Sequence, residues 1–141
     1  MEWGSWVEEF LGSDSVAGHA KLQQIVFDGL KEFVVKNNIV ALIENDELQV
    51  TGSSGTVTTL AAFHLGLAQY ERRLVDGMTI DYQDLYVVIE KILNMTKEER
   101  MLQANIGFGR VEYVLTGSNI LKAICDTLPV KNMRIADRGV R

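Results

Sequence analysis

Hydrophobic positions along this chain fall mostly three and four residues apart, the spacing of one face of an α-helix. Leu22, Ile25, Val26, Phe27, Leu30, Phe33 and Val34 hold that period and predict a helix over Val16 to Lys36 with a broad apolar face. Val7 to Leu11 predicts a short helical turn before it, and Ser13-Asp14-Ser15 offers capping oxygens. Asn37-Asn38 ends the helix, because asparagine tolerates the left-handed conformation of a C-cap. Ile39 to Ile43 fits a helix tail or a strand equally. Leu48 to Thr51 alternates apolar and polar and predicts a short strand. Gly52-Ser53-Ser54-Gly55 breaks it, and a helix opens at Gly55.

Tyr70 to Arg73 reads as a charged connector, and Met78 to Ile80 as a second short strand. Asp81 is placed to cap a helix whose buried stripe is Leu85, Val88, Ile89, Ile92 and Leu93. Thr96-Lys97-Glu98-Glu99 is a capping box opening a short helix to about Ala104. After the Gly107-Phe108-Gly109 turn, Arg110 to Leu128 predicts a long helix through Val111, Val114, Leu115, Leu121, Ile124, Cys125 and Leu128. Gly117 inside it costs about 1 kcal/mol relative to alanine, which points to close backbone packing. Pro129 stops the helix, and Met133 to Ala136 predicts a last strand. The class is α/β, helix-rich, with strands too few and short for a self-sufficient sheet.

Composition narrows the picture. The 141 residues suit one domain, with 47% hydrophobic and 23% charged positions. No apolar run reaches the length of a membrane span, and Met1-Glu2-Trp3-Gly4-Ser5-Trp6 lacks a signal-peptide pattern. The single Cys125 argues against a disulfide framework and fits a reducing cytoplasm. A net charge of −5, with no basic stripe among aromatics, argues against a nucleic-acid partner.

The candidate chemistry lies in the turn. A strand feeding a Gly/Ser turn at a helix N-terminus directs free N–H groups and the positive end of the helix dipole at one point, which suits an anion. Gly52, Ser53, Ser54, Gly55 and Thr56 would supply those N–H groups and the hydroxyl donors. The turn has no lysine and is neither a Walker A loop nor a G-x-G-x-x-G fingerprint. By spacing alone it reads equally as a packed strand–helix connection. Arg110 opens a helix, where a cation is mildly unfavourable to the dipole; it is a candidate to hold a phosphate bidentately, against the plainer reading of a surface arginine. Glu112 reads as its partner or as a first-turn acid. Asp137 and Arg138 end a strand, where α/β sheets place ligands. His19, His64 and Cys125 share no metal-ligand spacing, and Asp81, Asp84, Glu98 and Glu99 fit capping and solvated faces.

Thr51-Gly52-Ser53-Ser54-Gly55-Thr56-Val57-Thr58-Thr59-Leu60-Ala61 resembles the T-G-G-T-x-T-T-L-A signature of the exopolyphosphatase / guanosine pentaphosphate phosphohydrolase (Ppx/GppA) family. Gly109-Arg110-Val111-Glu112 is similar to that family's G-R-x-D/E helix start, and Ile135-Ala136-Asp137-Arg138-Gly139-Val140-Arg141 to its S-D/A-R-G-L-R-E-G ending. Val75-Asp76-Gly77 sits where the family has a H-G-Y-like strand entry. The resemblance spans nearly the whole chain. Ser53 and Ser54 depart from the family's more common Gly-Gly or Ser-Gly.

The resemblance implies a partial actin-like ATPase (ribonuclease H-like) domain, residues 1–141 forming the later part of the second of two such domains. It implies a parent enzyme that releases terminal phosphate from polyphosphate or guanosine pentaphosphate with Mg²⁺, whose ligands lie outside this segment. The phosphate-binding residues it implies here are Gly52, Ser53, Ser54, Gly55, Thr56 and Arg110, with no catalytic residue. It implies that Asp137 and Arg138 support the loop. The chain stops before the family's Glu-Gly and lacks its D-I-G-S-N-S and D-I-G-G-G-S loops, so it is expected to be a fragment, inactive alone and partnered by a missing N-terminal half. Trp3 and Trp6, core residues of such a neighbour, would then be exposed and drive self-association into a homodimer. The competing function is a non-catalytic phosphate- or nucleotide-binding module of the same fold.

Overall fold

The computed structural model describes residues 16–103, 105–106 and 111–138. The expected turn over Val7 to Leu11, the Ser13-Asp14-Ser15 cap, Trp3, Trp6, Ala104, the Gly107-Phe108-Gly109 turn and the ending from Gly139 lie outside those residues. So does Arg110.

The first helix, α1, runs Val16–Lys36, as its period predicts. Asn37 ends it by donating from both its backbone and side-chain nitrogens to the Phe33 carbonyl, at 3.1 and 2.9 Å. Asn38 takes the left-handed conformation, φ 55°. The chain then resumes as a separate helix, α2, Ile39–Glu44, which resolves the ambiguous stretch. Asn38 starts it: its carbonyl accepts from the Leu42 N–H at 3.2 Å. The broad face expected of α1 is narrower than its sequence suggests. Leu22, Val26 and Val34 are buried, but Phe27 and Phe33 stay 43% and 56% exposed.

Three strands form one mixed sheet in the order β1–β3–β2: β1 Thr51–Gly52, β2 Thr79–Asp81 and β3 Asn132–Ile135. β1 is parallel to β3, pairing Gly52 with Ile135, and β2 is antiparallel to β3, pairing Ile80 with Met133. β1 is shorter than its alternating pattern predicts, because β3 alone pairs with it and meets only its last residues. Helix α3, Gly55–His64, follows β1 and buries six successive residues from Val57 to Ala62. A helix covered on all sides is a core helix. It lies among the sheet, α5 (Tyr82–Asn94) and α7 (Val111–Thr127). Leu60, Ile80, Leu85, Ile89, Ile92 and Ile135 make the centre of this core, each 1% exposed or less.

Two smaller helices complete the chain. α6, Lys97–Met101, has the capping box: Glu99 N–H donates to Thr96 Oγ1 at 3.2 Å, and Thr96 N–H to Glu99 Oε2 at 2.7 Å. α4, Arg72–Val75, is a single turn where the sequence reads as a connector. Asp81 occupies the cap position of α5 without a side-chain capping bond. Tyr82 N–H instead donates to the Lys131 carbonyl at 2.9 Å, so the sheet's neighbouring loop holds that helix start. No helix among the described residues is long and apolar enough to cross a membrane.

Candidate functional site

The glycine-bearing turn sits at the carboxyl ends of the two parallel strands. Arg134 N–H donates to the Val50 carbonyl at 3.0 Å, and Ala136 N–H to the Gly52 carbonyl at 2.8 Å. Ser54 is the N-cap of α3, in extended conformation, and its hydroxyl accepts from Val57 N–H at 3.3 Å. Thr58 N–H reaches the Ser54 carbonyl, and the Thr58 hydroxyl donates to the Gly55 carbonyl, both at 3.1 Å. With Val57 N–H used by the cap, the N–H groups of Gly55 and Thr56 remain without a helical partner. Ser53, Ser54 and Gly55 are exposed.

The turn's residues have different jobs. A Cβ at Gly52 would lie 2.7 Å from both Met133 Sδ and Val57 Cγ1, so this glycine lets α3 close on the sheet. A Cβ at Gly55 would meet nothing within 4 Å. Packing therefore does not demand that glycine, and the space before it is open. A Cβ at Gly117 would fall 2.1 Å from Thr56 Oγ1. The Thr56 side chain thus rests on the backbone of α7, which is the close approach that Gly117 anticipates.

Beside the turn lies an ionic network drawn from two segments far apart in sequence, residues 70–76 and 137–138. Asp137 Oδ2 accepts from the Tyr70 hydroxyl at 2.9 Å and lies 3.6 Å from Arg72 Nε. Arg72 also donates to the Asp137 carbonyl at 2.8 Å. Asp137 N–H donates to Asp76 Oδ1 at 3.0 Å, while Asp76 Oδ2 pairs with Arg138 at 3.1 Å. The Asp137 N–H, helped by Arg138 and Arg72, holds the Asp76 carboxyl below its ordinary value. Burial, then the Asp137 hydrogen bond and charge, push the Tyr70 phenol up; the Thr58 hydroxyl beside it acts the other way. Thr58 in turn holds Gly55, so the network touches the first turn of α3. The expected supporting role of Asp137 and Arg138 matches this geometry. Tyr70, Arg72 and Asp76 are the residues that sequence reasoning passed over. Their one signal was Val75-Asp76-Gly77, read only as a strand entry.

The other candidates are placed apart. Cys125 is buried, and burial pushes its thiol up to about 11, so it stays protonated and inert. No group of three His, Cys, Asp or Glu among the described residues could hold a metal ion. Asp76 and Asp137, the carboxylates beside the turn, are already engaged by arginines, so the residues described here do not form a Mg²⁺ site by themselves.

A model of the Ppx/GppA phosphatase family matches residues 3–141. Among solved structures, a Ppx/GppA family member from Aquifex aeolicus is similar with a TM-score of 0.75 at 15% identity, covering 94% of this chain and 42% of that one. An exopolyphosphatase-like protein has a TM-score of 0.71 at 23% identity, covering 87% and 40%. An exopolyphosphatase from Cytophaga hutchinsonii has a TM-score of 0.58 at 15% identity, covering 81% and 37%. The chain therefore spans about 40% of the length of these structures, and at such identities the likeness is one of fold, here the actin-like ATPase fold. No curated protein sequence matches.

Proposed function

The chain belongs to the Ppx/GppA phosphatase family, and from that premise we propose that it supplies the phosphate-binding turn of a phosphohydrolase. The reaction is removal of the terminal phosphate from inorganic polyphosphate or guanosine pentaphosphate. The observation that carries this reading is the exposed Ser53-Ser54-Gly55 turn at the start of α3, with the Gly55 and Thr56 N–H groups unspent and open space before Gly55. Such a turn provides positioned donors for a terminal phosphoryl group, whose charge spreads over its outer oxygens in the transition state.

In this reading Ser53 and Ser54 add hydroxyl donors, Gly52 fixes the turn to the sheet, and Arg110 is a further phosphate contact. Mg²⁺, held by ligands outside the described residues, would neutralise developing charge. The 141 residues are proposed to be one part of a cytoplasmic enzyme and inactive alone, with the acid/base groups in the remaining, N-terminal part. Self-association through Trp3 and Trp6 stays part of the proposal.

The test is a titration of the chain with pyrophosphate, followed by the amide resonances of Gly52 to Thr56. Saturable shifts confined to those residues and their neighbours are expected. Their absence at millimolar pyrophosphate would leave the turn a structural connection. A parallel assay with polyphosphate and Mg²⁺ should give no phosphate release from this chain.

A further inference from the structure

On another part of the molecule, α1, α5 and α7 enclose a cleft of about 470 Å³ that shares no residue with the glycine turn. The size falls in the range of small-molecule sites. The seam between α1 and α7 is apolar where Leu22 and Val26 meet Ala123, and there it is closed. Toward the start of α1 the seam turns polar and opens.

Three carboxamides line the opening. Asn119 is 1% exposed and fixed by two bonds: its Oδ1 accepts from Gln23 at 3.2 Å, and its Nδ2 donates to the Leu115 carbonyl at 3.3 Å. A carboxamide has four bonding positions, so one N–H and one lone pair of Asn119 remain. Asn94, the last residue of α5, lines the same cleft, and its carboxamide makes no hydrogen bond to the described residues. Burying a carboxamide such as that of Asn119 in a helix seam costs free energy that an apolar side chain would not.

The charge on the walls is balanced. Lys122 Nζ lies 2.8 Å from Glu90 Oε1, and the Glu90 hydrogen bond, with its charge, raises the Lys122 pKa so that the ammonium persists. A pair that close cancels at a distance, so neither an anion nor a cation gains from entering as a charge. Ala20, Leu93 and Met95 add apolar surface, and His19 adds an imidazole ring to the lining.

We infer that this cleft binds a neutral, hydroxyl-rich small molecule of about monosaccharide size. Each hydroxyl both donates and accepts, which matches carboxamides and a neutralised ion pair. The C–H face of such a ligand suits the apolar patch. The site is independent of the phosphate reading.

The experiment uses the full chain and reads the side-chain amide resonances of Gln23, Asn94 and Asn119. The probes are glucose, galactose, mannose and ribose, each raised to tens of millimolar, with uridine and inorganic phosphate as contrasts. At least one sugar should give a saturable shift at Asn94 and Asn119. Asn94→Ala, at an exposed position, should keep the fold and weaken that sugar by about tenfold. Saturation by phosphate or uridine alone would overturn the inference. So would no saturable shift from any sugar, or an unchanged affinity in the Asn94→Ala chain.

Discussion

Gly55 and Gly117 both lie within helices, yet their substitution should have opposite results. At Gly117 the added methyl would sit 2.1 Å from Thr56 Oγ1 and 2.9 Å from Thr56 Cβ and Cγ2. The obstacle is a short β-branched side chain with little freedom, so α3 or α7 must shift. Gly117→Ala should therefore cost about 2–3 kcal/mol by urea denaturation, outweighing the helix-propensity gain of about 1 kcal/mol. At Gly55 the methyl meets open space, and Gly55→Ala should leave stability within about 0.5 kcal/mol of the parent. In the pyrophosphate titration the same Gly55→Ala chain should bind more weakly, because the methyl stands where the anion approaches. A Gly55→Ala chain that binds as well as the parent would remove Gly55 from the site.

Between elements, the ties around Asp76 and Asp137 hold α4, the entry to β2 and the exit of β3 together. Their contribution depends on pH in a definite sense. Asp76 is held below its ordinary value of 3.8, chiefly by the Asp137 N–H. A depressed carboxyl stabilises the fold above that value, and the effect is lost as pH falls through the folded pKa. Asp76→Asn should therefore melt lower than the parent at pH 7, and the two melting curves should converge in acid. Parallel curves down to the most acid point would show that the Asp76 charge contributes nothing. This network also marks the boundary of what the sequence could show. Helices α1, α5 and α7 and the Thr96 box were legible because period and capping are local properties of the chain. The turn and the Gly117 contact were legible because glycine in a helix or after a strand needs a local reason. Tyr70, Arg72 and Asp76 were not, because their partner lies more than 60 residues away and charged pairs leave no period. Asp81 holds the cap position that its sequence predicts, but makes no side-chain capping bond, a matter of side-chain geometry that a cap sequence does not carry.

Over the whole molecule, α3 is the hub. It meets the sheet, α5 and α7, and its first turn carries the proposed phosphate site. A site on a fully packed helix is held by the core rather than by a loop, which favours positional precision over adaptability. The narrow packing of α1 shows the opposite regime. Phe27 and Phe33 remain largely uncovered, since α1 leans on α7 and the short α2 while its far side faces outward.

The contact between Thr56 and Gly117 has a consequence in time as well as in space. With no room for even a methyl group between them, α3 and α7 pack side chain on backbone, so opening one removes a contact of the other. An anion that tightens the turn should therefore slow opening in the middle of α7, remote in sequence from the turn. Amide hydrogen exchange near Gly117 should fall with pyrophosphate in step with exchange at Thr56 and Val57, while the exposed face of α1 keeps its rate. Exchange that slowed only at the turn would mean that the two helices breathe independently.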